Sequence, residues 1–232
     1  MIRMGSKTEP FKVTCRLLDG RINTTDGLIY FDAILYHAWF LKNAPQAIYG
    51  MIPQKGDYKH LNFGLPLRRI DNKRYSASVG FFKQYDQYVE YWNKRADFLQ
   101  FLDFHNENKR IDVSKGEYKN YRVPQVIKVV GDIEFYGYGT ISKIKELLEY
   151  IPAIGKKPGE GWGIVKEWIV EPFEKDWSYY SDKYGIMRPI PIDEYKANAE
   201  DNRQYTVRQC SVLPPSWKQC NQRLCYVPEV IQ

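Results

Sequence analysis

The fold of this chain is best read outward from one glycine-rich loop, Gly155-Lys156-Lys157-Pro158-Gly159-Glu160-Gly161-Trp162-Gly163. Four glycines in nine residues allow the backbone to approach a ligand closely and to adopt positive φ angles. The loop matches neither the triphosphate-binding pattern G-x-x-x-x-G-K-S/T nor the dinucleotide fingerprint, which requires a strand before it and a helix after it. Two interpretations are open: a tight helix-to-strand connection, or a loop that clamps an RNA backbone with Trp162 as a stacking face.

The residues around this loop predict regular structure on both sides. Residues 142–150 carry apolar side chains at 3.6-residue spacing, which is typical of an amphipathic helix. Residues 126–138 and 164–170 predict strands, because apolar side chains recur there at alternate positions. The second half of the chain therefore reads strand, helix, glycine-rich loop and strand.

The first half has a comparable order of elements. Residues 11–18 alternate and predict a half-buried strand, while residues 30–41 are apolar on nearly every side and predict a buried helix that ends before Pro45. Segments 75–83 and 85–92 are rich in aromatic and β-branched residues and predict the two strands of a hairpin. Two β-α-β halves of this kind predict an α+β fold of the ferredoxin-like (RRM-like) type.

Long irregular segments interrupt both halves. Residues 45–74 begin with a stretch rich in proline and glycine, and residues 105–122 are basic with few apolar side chains. Loops of this length in a compact domain are usually functional. No linker is visible, so we predict one domain over residues 1–232, made of a first half (11–104), a second half (105–187) and an extended C-terminal appendage (188–232).

Composition limits the classes of protein. The 232 residues include 34 Lys and Arg against 28 Asp and Glu, a net charge of +6, and the 44% hydrophobic fraction excludes a disordered chain. This charge is small for a stand-alone nucleic-acid binder. The aromatic content is 16%, with 19 tyrosines, and single-stranded RNA binders use such rings for bases and cations for phosphates. A tyrosine-rich core without any ligand explains the composition equally well.

Further candidate RNA contacts lie outside the glycine-rich loop. One cluster places four cations within seven residues next to an aromatic residue, although such runs are usually solvated turns. The basic segment 105–122 is less specific, because acidic residues interrupt it. The prolines of the tail favour structural packing, with one arginine and one tryptophan beside them as candidate contacts. The candidates are Arg68, Arg69, Lys73 and Arg74 in the cluster, Lys109 and Arg110 in the basic segment, and Arg188 and Trp217 in the tail.

No active site can be assembled from the sequence. Only three histidines exist, and His37 lies on the apolar helix, where a core histidine is more common than a general base. The four cysteines show no C-x-x-C spacing, so we expect no catalytic residue, no metal site and no cofactor. Because the chain shows no secretion-type start and no apolar run of roughly 20 residues, we expect reduced cysteines, a cytoplasmic location and no membrane contact.

Several motifs resemble a known family. They are Leu28-Ile29-Tyr30-Phe31-Asp32-Ala33-Ile34-Leu35, the glycine-rich loop preceded by Ile154, Trp168-Ile169-Val170-Glu171-Pro172, Met187-Arg188-Pro189-Ile190-Pro191, Pro214-Pro215-Ser216-Trp217 and Cys225-Tyr226-Val227-Pro228. Together they resemble the RAMP proteins of CRISPR systems, and in particular the Csf-three family, the Cas-five-like subunit of type IV effector complexes. The resemblance runs from about Phe11 to Pro228.

The resemblance implies a ferredoxin-like RAMP core with long loop insertions, no catalysis, and a place in the prokaryotic cytoplasm. Such a subunit holds the 5′ handle of the guide RNA at one end of a ribonucleoprotein complex and contacts the backbone and large subunits. A contact with target DNA near the protospacer-adjacent motif stays open. On this resemblance the RNA side carries Gly155, Lys156, Lys157, Gly159, Gly161, Trp162 and Gly163.

This chain departs from the expected charge at Glu160, which dilutes the positive charge of the glycine-rich loop. The alternative function is a RAMP endoribonuclease that processes the guide RNA precursor. In that case His37, or a tyrosine such as Tyr36, would act as general acid or base on the 2′-hydroxyl chemistry.

Overall fold

The computed structural model of the protein describes residues 7–24, 27–45, 64–70, 74–95, 112–116, 118–195, 203–216 and 218–230. Within them the chain forms eleven strands and two α-helices, a mixed α/β fold in which strands predominate. Most of the predicted insertion 45–74 lies outside the described residues, whereas the insertion 105–122 is described at residues 112–116 and 118–122. The elements are β1 (Glu9–Leu17), β2 (Arg21–Asn23), α1 (Phe31–Asn43), β3 (Gln84–Lys94), β4 (Tyr121–Val130), β5 (Ile133–Gly139), α2 (Ile141–Leu148), β6 (Val165–Pro172), β7 (Tyr180–Ser181), β8 (Gly185–Ile186), β9 (Ile190–Pro191), β10 (Thr206–Ser211) and β11 (Gln222–Val227).

The central sheet has β1 in the middle, with β5 on one side and β6 on the other, and both pairings are antiparallel. Alternation places Phe11, Val13 and Cys15 of β1 on the buried face, where each is fully inaccessible to solvent. The register sets Val13 beside Phe135 of β5. The predicted strands over 11–18 and 164–170 are therefore confirmed.

Both predicted helices are also confirmed, and they contact each other. Helix α1 buries Phe31, Leu35 and Ala38, spaced so that they fall on one face, and the ring of Phe31 lies 5.1 Å from that of Phe135. Helix α1 ends at Asn43, because Pro45 disfavours the helical conformation at Ala44, the residue before it. Helix α2 buries three residues at helical spacing and packs against β6.

The predicted hairpin of residues 75–83 and 85–92 is wrong. Strand β3 pairs along its length with β4, and both join β2 in a second sheet. Residues 75–82 are all buried, and they make isolated antiparallel bridges to β5, such as Ala77 with Gly137 and Phe81 with Glu134. A segment that is buried on both sides belongs to the core, whereas β3 is largely exposed. The two segments therefore serve different sheets.

The predicted strand 126–138 is also wrong in one respect, because it is two strands. β4 ends at Val130 and belongs to the second sheet, and β5 begins at Ile133 in the central sheet. The break at Gly131 is fixed from two sides: its N–H donates to the carbonyl of Lys83 at 3.0 Å, and the N–H of Val130 donates to Gly20 at 2.8 Å.

The C-terminal part contributes to the main core. Strands β9, β10 and β11 form a third sheet in the order β10-β11-β9. Cys210, Cys225 and Val230 belong to the same hydrophobic cluster as β1 and α1, and the N–H of Phe82 donates to the carbonyl of Val230 at 3.1 Å. The tail is therefore more than an external appendage, and its two buried cysteines, which form no disulfide, fill the core.

Candidate functional site

The base of the glycine-rich loop is fixed by packing. The N–H of Lys156 donates to the carbonyl of Asn23 on β2 at 2.8 Å, and the N–H of Gly163 donates to the same strand at 2.7 Å. Gly155 and Gly163 have φ angles of 87° and 70°, and an added Cβ at Gly163 would lie 1.9 Å from the carbonyl oxygen of Ile154. At these two positions the interpretation as a tight connection accounts for the glycines.

The apex of the loop is different. Residues Pro158–Glu160 form one 3₁₀ turn, and it is followed by Gly161 in the left-handed region. An added Cβ at Gly159 or Gly161 would meet nothing within 4 Å. Packing therefore does not explain Gly159, whose φ is not positive. Open backbone at an apex next to the exposed Lys156 is what a phosphate or sugar could approach closely.

Lys157 is held by an aromatic partner that the sequence interpretation missed. Its ammonium lies 3.3 Å from the ring centroid of Trp92 on β3, and the Trp92 ring lies 5.1 Å from that of Tyr121. Lys157 is also in the left-handed region, with φ 52°. The aromatic residues of segment 85–92 were visible in the sequence, but their pattern does not show which ring lies next to Lys157 of the glycine-rich loop.

The prediction of Trp162 as a stacking face for RNA is wrong, because the side chain is only 3% exposed. Its indole is withdrawn from solvent into the protein, where burial of a large apolar ring is favourable. Trp162 therefore anchors the loop, and the loop presents Lys156, Glu160 and the apex backbone outward.

The prediction of Arg188 as an RNA contact is also wrong, because Arg188 is the largest fully buried side chain described. Its Nη2 donates to the carboxylate of Asp32 on α1 at 3.3 Å and to the carbonyl of Val212 at 3.2 Å. Its Nη1 donates to the carbonyls of Tyr75 and Ala77, the latter at 3.1 Å. Arg188 thus joins α1, the buried segment 75–82 and the C-terminal part.

The glycine-rich loop forms one wall of a cleft of about 680 Å³, which we call the loop cleft. The other walls come from the chain between β2 and α1, from α1 itself, and from β10 and β11. His37 of α1 lines this cleft together with Lys156, and its side chain is exposed rather than part of the core. Partial desolvation lowers the pKa of His37. Most of the lining side chains are apolar, and Lys156 is the one lysine or arginine among the described lining residues. The imidazole of His37 is the group in this cleft that could accept a proton.

The predicted cation cluster lies elsewhere. The guanidinium of Arg68 lies 4.1 Å from the ring centroid of Tyr138 and forms an ion pair with Asp176. Arg69 lies over the ring of Tyr75, and Arg74 pairs with Glu194 at 2.6 Å. Arg68 and Arg69 line a separate hollow with Asp176 and do not line the loop cleft. Four predicted contacts lie outside the described residues: Lys73, Lys109, Arg110 and Trp217.

In the part of the chain that the structure describes, no group of three His, Cys, Asp or Glu side chains could hold a metal ion. Among the helices of the same ranges, none is long and apolar enough to cross a membrane.

Comparison with protein families defines the class and then the family. The class is a subunit associated with type IV CRISPR systems, because residues 9–228 match the family model described as CRISPR type IV associated protein Csf3. The match covers nearly the whole chain, so the protein belongs to the Csf3 family, and the resemblance drawn from the motifs is confirmed. A search of curated proteins finds no match.

Proposed function

We propose that this protein is the non-catalytic subunit that holds the 5′ handle of the guide RNA at one end of a type IV CRISPR effector complex. The observation that carries the proposal is the apex of the glycine-rich loop. An added Cβ at Gly159 would meet nothing within 4 Å, and the exposed Lys156, three residues before it, lies on the wall of the loop cleft. Exposed backbone with one cation suits a bent single strand better than a duplex.

The strand order supports a ferredoxin-like RAMP core for this subunit. Residues 75–82, β5, β1 and β6 follow one another across the sheet, and every neighbouring pair is antiparallel. In chain order these segments and the two helices read β-α-β-β-α-β, the ferredoxin-like sequence of elements. Strands β3 and β4 are then an insertion between the second and third core strands.

The partners and location follow from the same role. The net charge of +6 is modest, which suits a subunit that meets RNA on one face and the backbone and large subunits on others. We expect assembly in the prokaryotic cytoplasm, and contact with target DNA near the protospacer-adjacent motif belongs to the same proposal. Target sequence would be read by base pairing of the guide.

The proposal is tested by expressing the protein with its effector partners and sequencing the RNA that co-purifies. We expect guides with one common 5′ handle, and Lys156→Glu should lower guide occupancy about tenfold, since it reverses one phosphate-facing charge. Lys143→Glu is the matched control, because Lys143 is an exposed lysine on α2 and should leave occupancy unchanged. RNA without a common handle would refute the role, and equal occupancy in both variants would refute the part played by the loop.

A second function, metal-independent cleavage of the guide precursor, is favoured by one observation. His37 lines the loop cleft, and its lowered pKa keeps the imidazole neutral and able to accept a proton from a 2′-hydroxyl near neutral pH. Tyr36 is less suited, because its ring lies 4.8 Å from that of Phe40. Site-specific cleavage of repeat RNA in chelator, lost in His37→Ala, would establish this function. Intact repeat RNA would exclude it.

A further inference from the structure

We propose that a second cleft, on the other side of the chain between β2 and α1, binds a phosphate of a single nucleic-acid strand. This basic cleft has a volume of about 570 Å³. Its cations are Lys128 on β4, Lys183 in the β7–β8 turn, Arg203 before β10 and Arg208 on β10. The inference rests on the proposed function for the kind of ligand, and it concerns a different site from the glycine-rich loop.

The charge of the cleft is strongly unbalanced. Four cations line it, and Glu229 is the one acidic residue among its described lining residues. The nearby carboxylate of Asp182 is occupied by Lys175, whose ammonium lies 2.6 Å away. A concave surface lined by one sign of charge concentrates the field and attracts an anion.

The cleft is a built structure. The guanidinium of Arg203 donates to the backbone carbonyl of Lys183 at 2.9 Å, which ties Arg203 to the β7–β8 turn. The hydroxyl of Tyr205 accepts the N–H of Ile186 at 3.2 Å. This close approach needs Gly185, with φ 75°, because an added Cβ there would lie 2.1 Å from the Tyr205 hydroxyl. The backbone on this side of the cleft is therefore in place before any ligand arrives.

Arg208 points to an anionic ligand most directly. Its Nε is buried and has no hydrogen-bond partner within the described part of the chain. A buried donor without an acceptor is unfavourable, and a phosphate oxygen would satisfy it through a charge-assisted bond.

The ligand group is a phosphate rather than a base, because the aromatic rings of the cleft are already in use. Tyr184 stacks on Phe81 at 5.1 Å and lies under the ammonium of Lys183 at 4.5 Å. Tyr205 packs against the ring of Tyr195 at 5.9 Å. Recognition in this cleft therefore depends on charge and not on stacking.

The source of the phosphate is a strand that also passes the loop cleft. Gly27 lines the basic cleft and Leu28 lines the loop cleft, and on β10 Arg208 lines the first while Gln209 lines the second. Consecutive side chains of a strand point to opposite faces, so the two clefts open on opposite sides of β10 and share it as a dividing wall. A single strand that follows the protein surface around this wall can place one phosphodiester in each cleft.

The test uses the full chain and a fluorescein-labelled 12-nucleotide single-stranded RNA, with DNA of the same sequence and inorganic phosphate as further arms. Lys183→Gln/Arg208→Gln is compared by anisotropy, over a salt series, with Lys143→Gln/Lys145→Gln, which removes the same charge from exposed positions on α2. We expect about a tenfold loss of affinity and a salt slope smaller by about 1 to 1.5 for the cleft variant, since two phosphate contacts are removed. The control should match the wild type.

The outcomes separate the two sites. Equal losses of affinity for RNA and DNA support recognition of a phosphodiester that both strands share. A loss of affinity for only one of them identifies that nucleic acid as the strand that the cleft binds. If the cleft variant keeps its affinity and salt slope while Lys156→Glu loses affinity, the inference about the basic cleft is overturned and the proposed function stands. If the cleft variant loses affinity while Lys156→Glu does not, only the role of the glycine-rich loop is rejected. Binding of inorganic phosphate that the cleft variant loses, with strand affinity equal in the variant and the wild type, would mean that the cleft takes a free anion, which also overturns the inference. Lys183→Gln alone, at an exposed position, should give about half the change in slope if the double variant folds poorly.

Discussion

Arg188→Met should be among the most destabilising single substitutions in this protein. The substitution removes the cation that faces Asp32 and the donors to the carbonyls of Tyr75, Ala77 and Val212. Arg188 and Asp32 have side chains only 2% and 5% exposed, so water cannot replace what is lost. Three separate parts of the chain lose their common contact.

The magnitude follows from this burial. Removing one partner of a buried ion pair costs about 3–5 kcal/mol, because the remaining charge stays buried without compensation. An exposed pair contributes only about 0–1 kcal/mol. Arg223 provides that comparison, since its guanidinium pairs with Asp193 and Glu194 while its side chain is 42% exposed. Arg223→Met should therefore lower the free energy of unfolding by less than about 1 kcal/mol.

The assay is urea unfolding at neutral pH followed by circular dichroism. The double variant Asp32→Asn/Arg188→Met should be more stable than the sum of its single variants predicts, because it leaves no unpaired charge. The coupling energy should be about 1–3 kcal/mol. A loss below about 1 kcal/mol for Arg188→Met, or strict additivity in the cycle, would refute the reasoning.

Two further predictions concern the glycine-rich loop and the central sheet. Gly163→Ala should lower the free energy of unfolding by at least about 2 kcal/mol, because its Cβ would meet a backbone oxygen at 1.9 Å and its φ is positive. Gly159→Ala should stay within about 0.5 kcal/mol of the wild type in the same unfolding assay. Equal losses of stability in the two variants would contradict the division of the loop into a packed base and an open apex. The pKa of Glu134 is lowered: burial opposes ionisation, but the hydrogen bonds of Lys12 and Tyr136 outweigh it. A lowered carboxyl pKa contributes stability that is present above the ordinary titration range of glutamate and is lost as the pH falls through the folded-state pKa, so Glu134→Gln should flatten the acid side of a stability–pH profile. A stability–pH profile parallel to that of the wild type would show that the interactions of Glu134 with Lys12 and Tyr136 are not responsible for the loss of stability in acid.

The parts of the fold that could be predicted are those with local causes. Helix α1 follows from its apolar pattern and a proline stop, and β1 follows from alternation alone. The pairing of β3 with β4 could not be predicted, because it joins segments that are separated by residues 95–120. The period-two pattern continues across Gly131, and although the dipeptide Gly131-Asp132 is a local turn signal, it does not show that β4 and β5 enter different sheets.

The candidate site divides in the same way. The glycine-rich loop was recognisable because its residues are contiguous, yet burial of Trp162 depends on the packing of the whole chain. Arg188 stands 156 residues from Asp32, and only the fold brings the two together. The basic cleft could not be predicted, because its cations come from three separate parts of the chain, Lys128, Lys183 and the pair Arg203 and Arg208, and form no run in the sequence.

The most direct measurement of the central claim is a crosslink map of the assembled complex. The guide RNA carries 4-thiouridine in its 5′ handle, and the crosslinked peptides are identified by mass spectrometry after irradiation. The proposed function predicts crosslinks in the peptide that contains Lys156 and Gly159, on the wall of the loop cleft. Handle crosslinks confined to other subunits, with none in this chain, would contradict it.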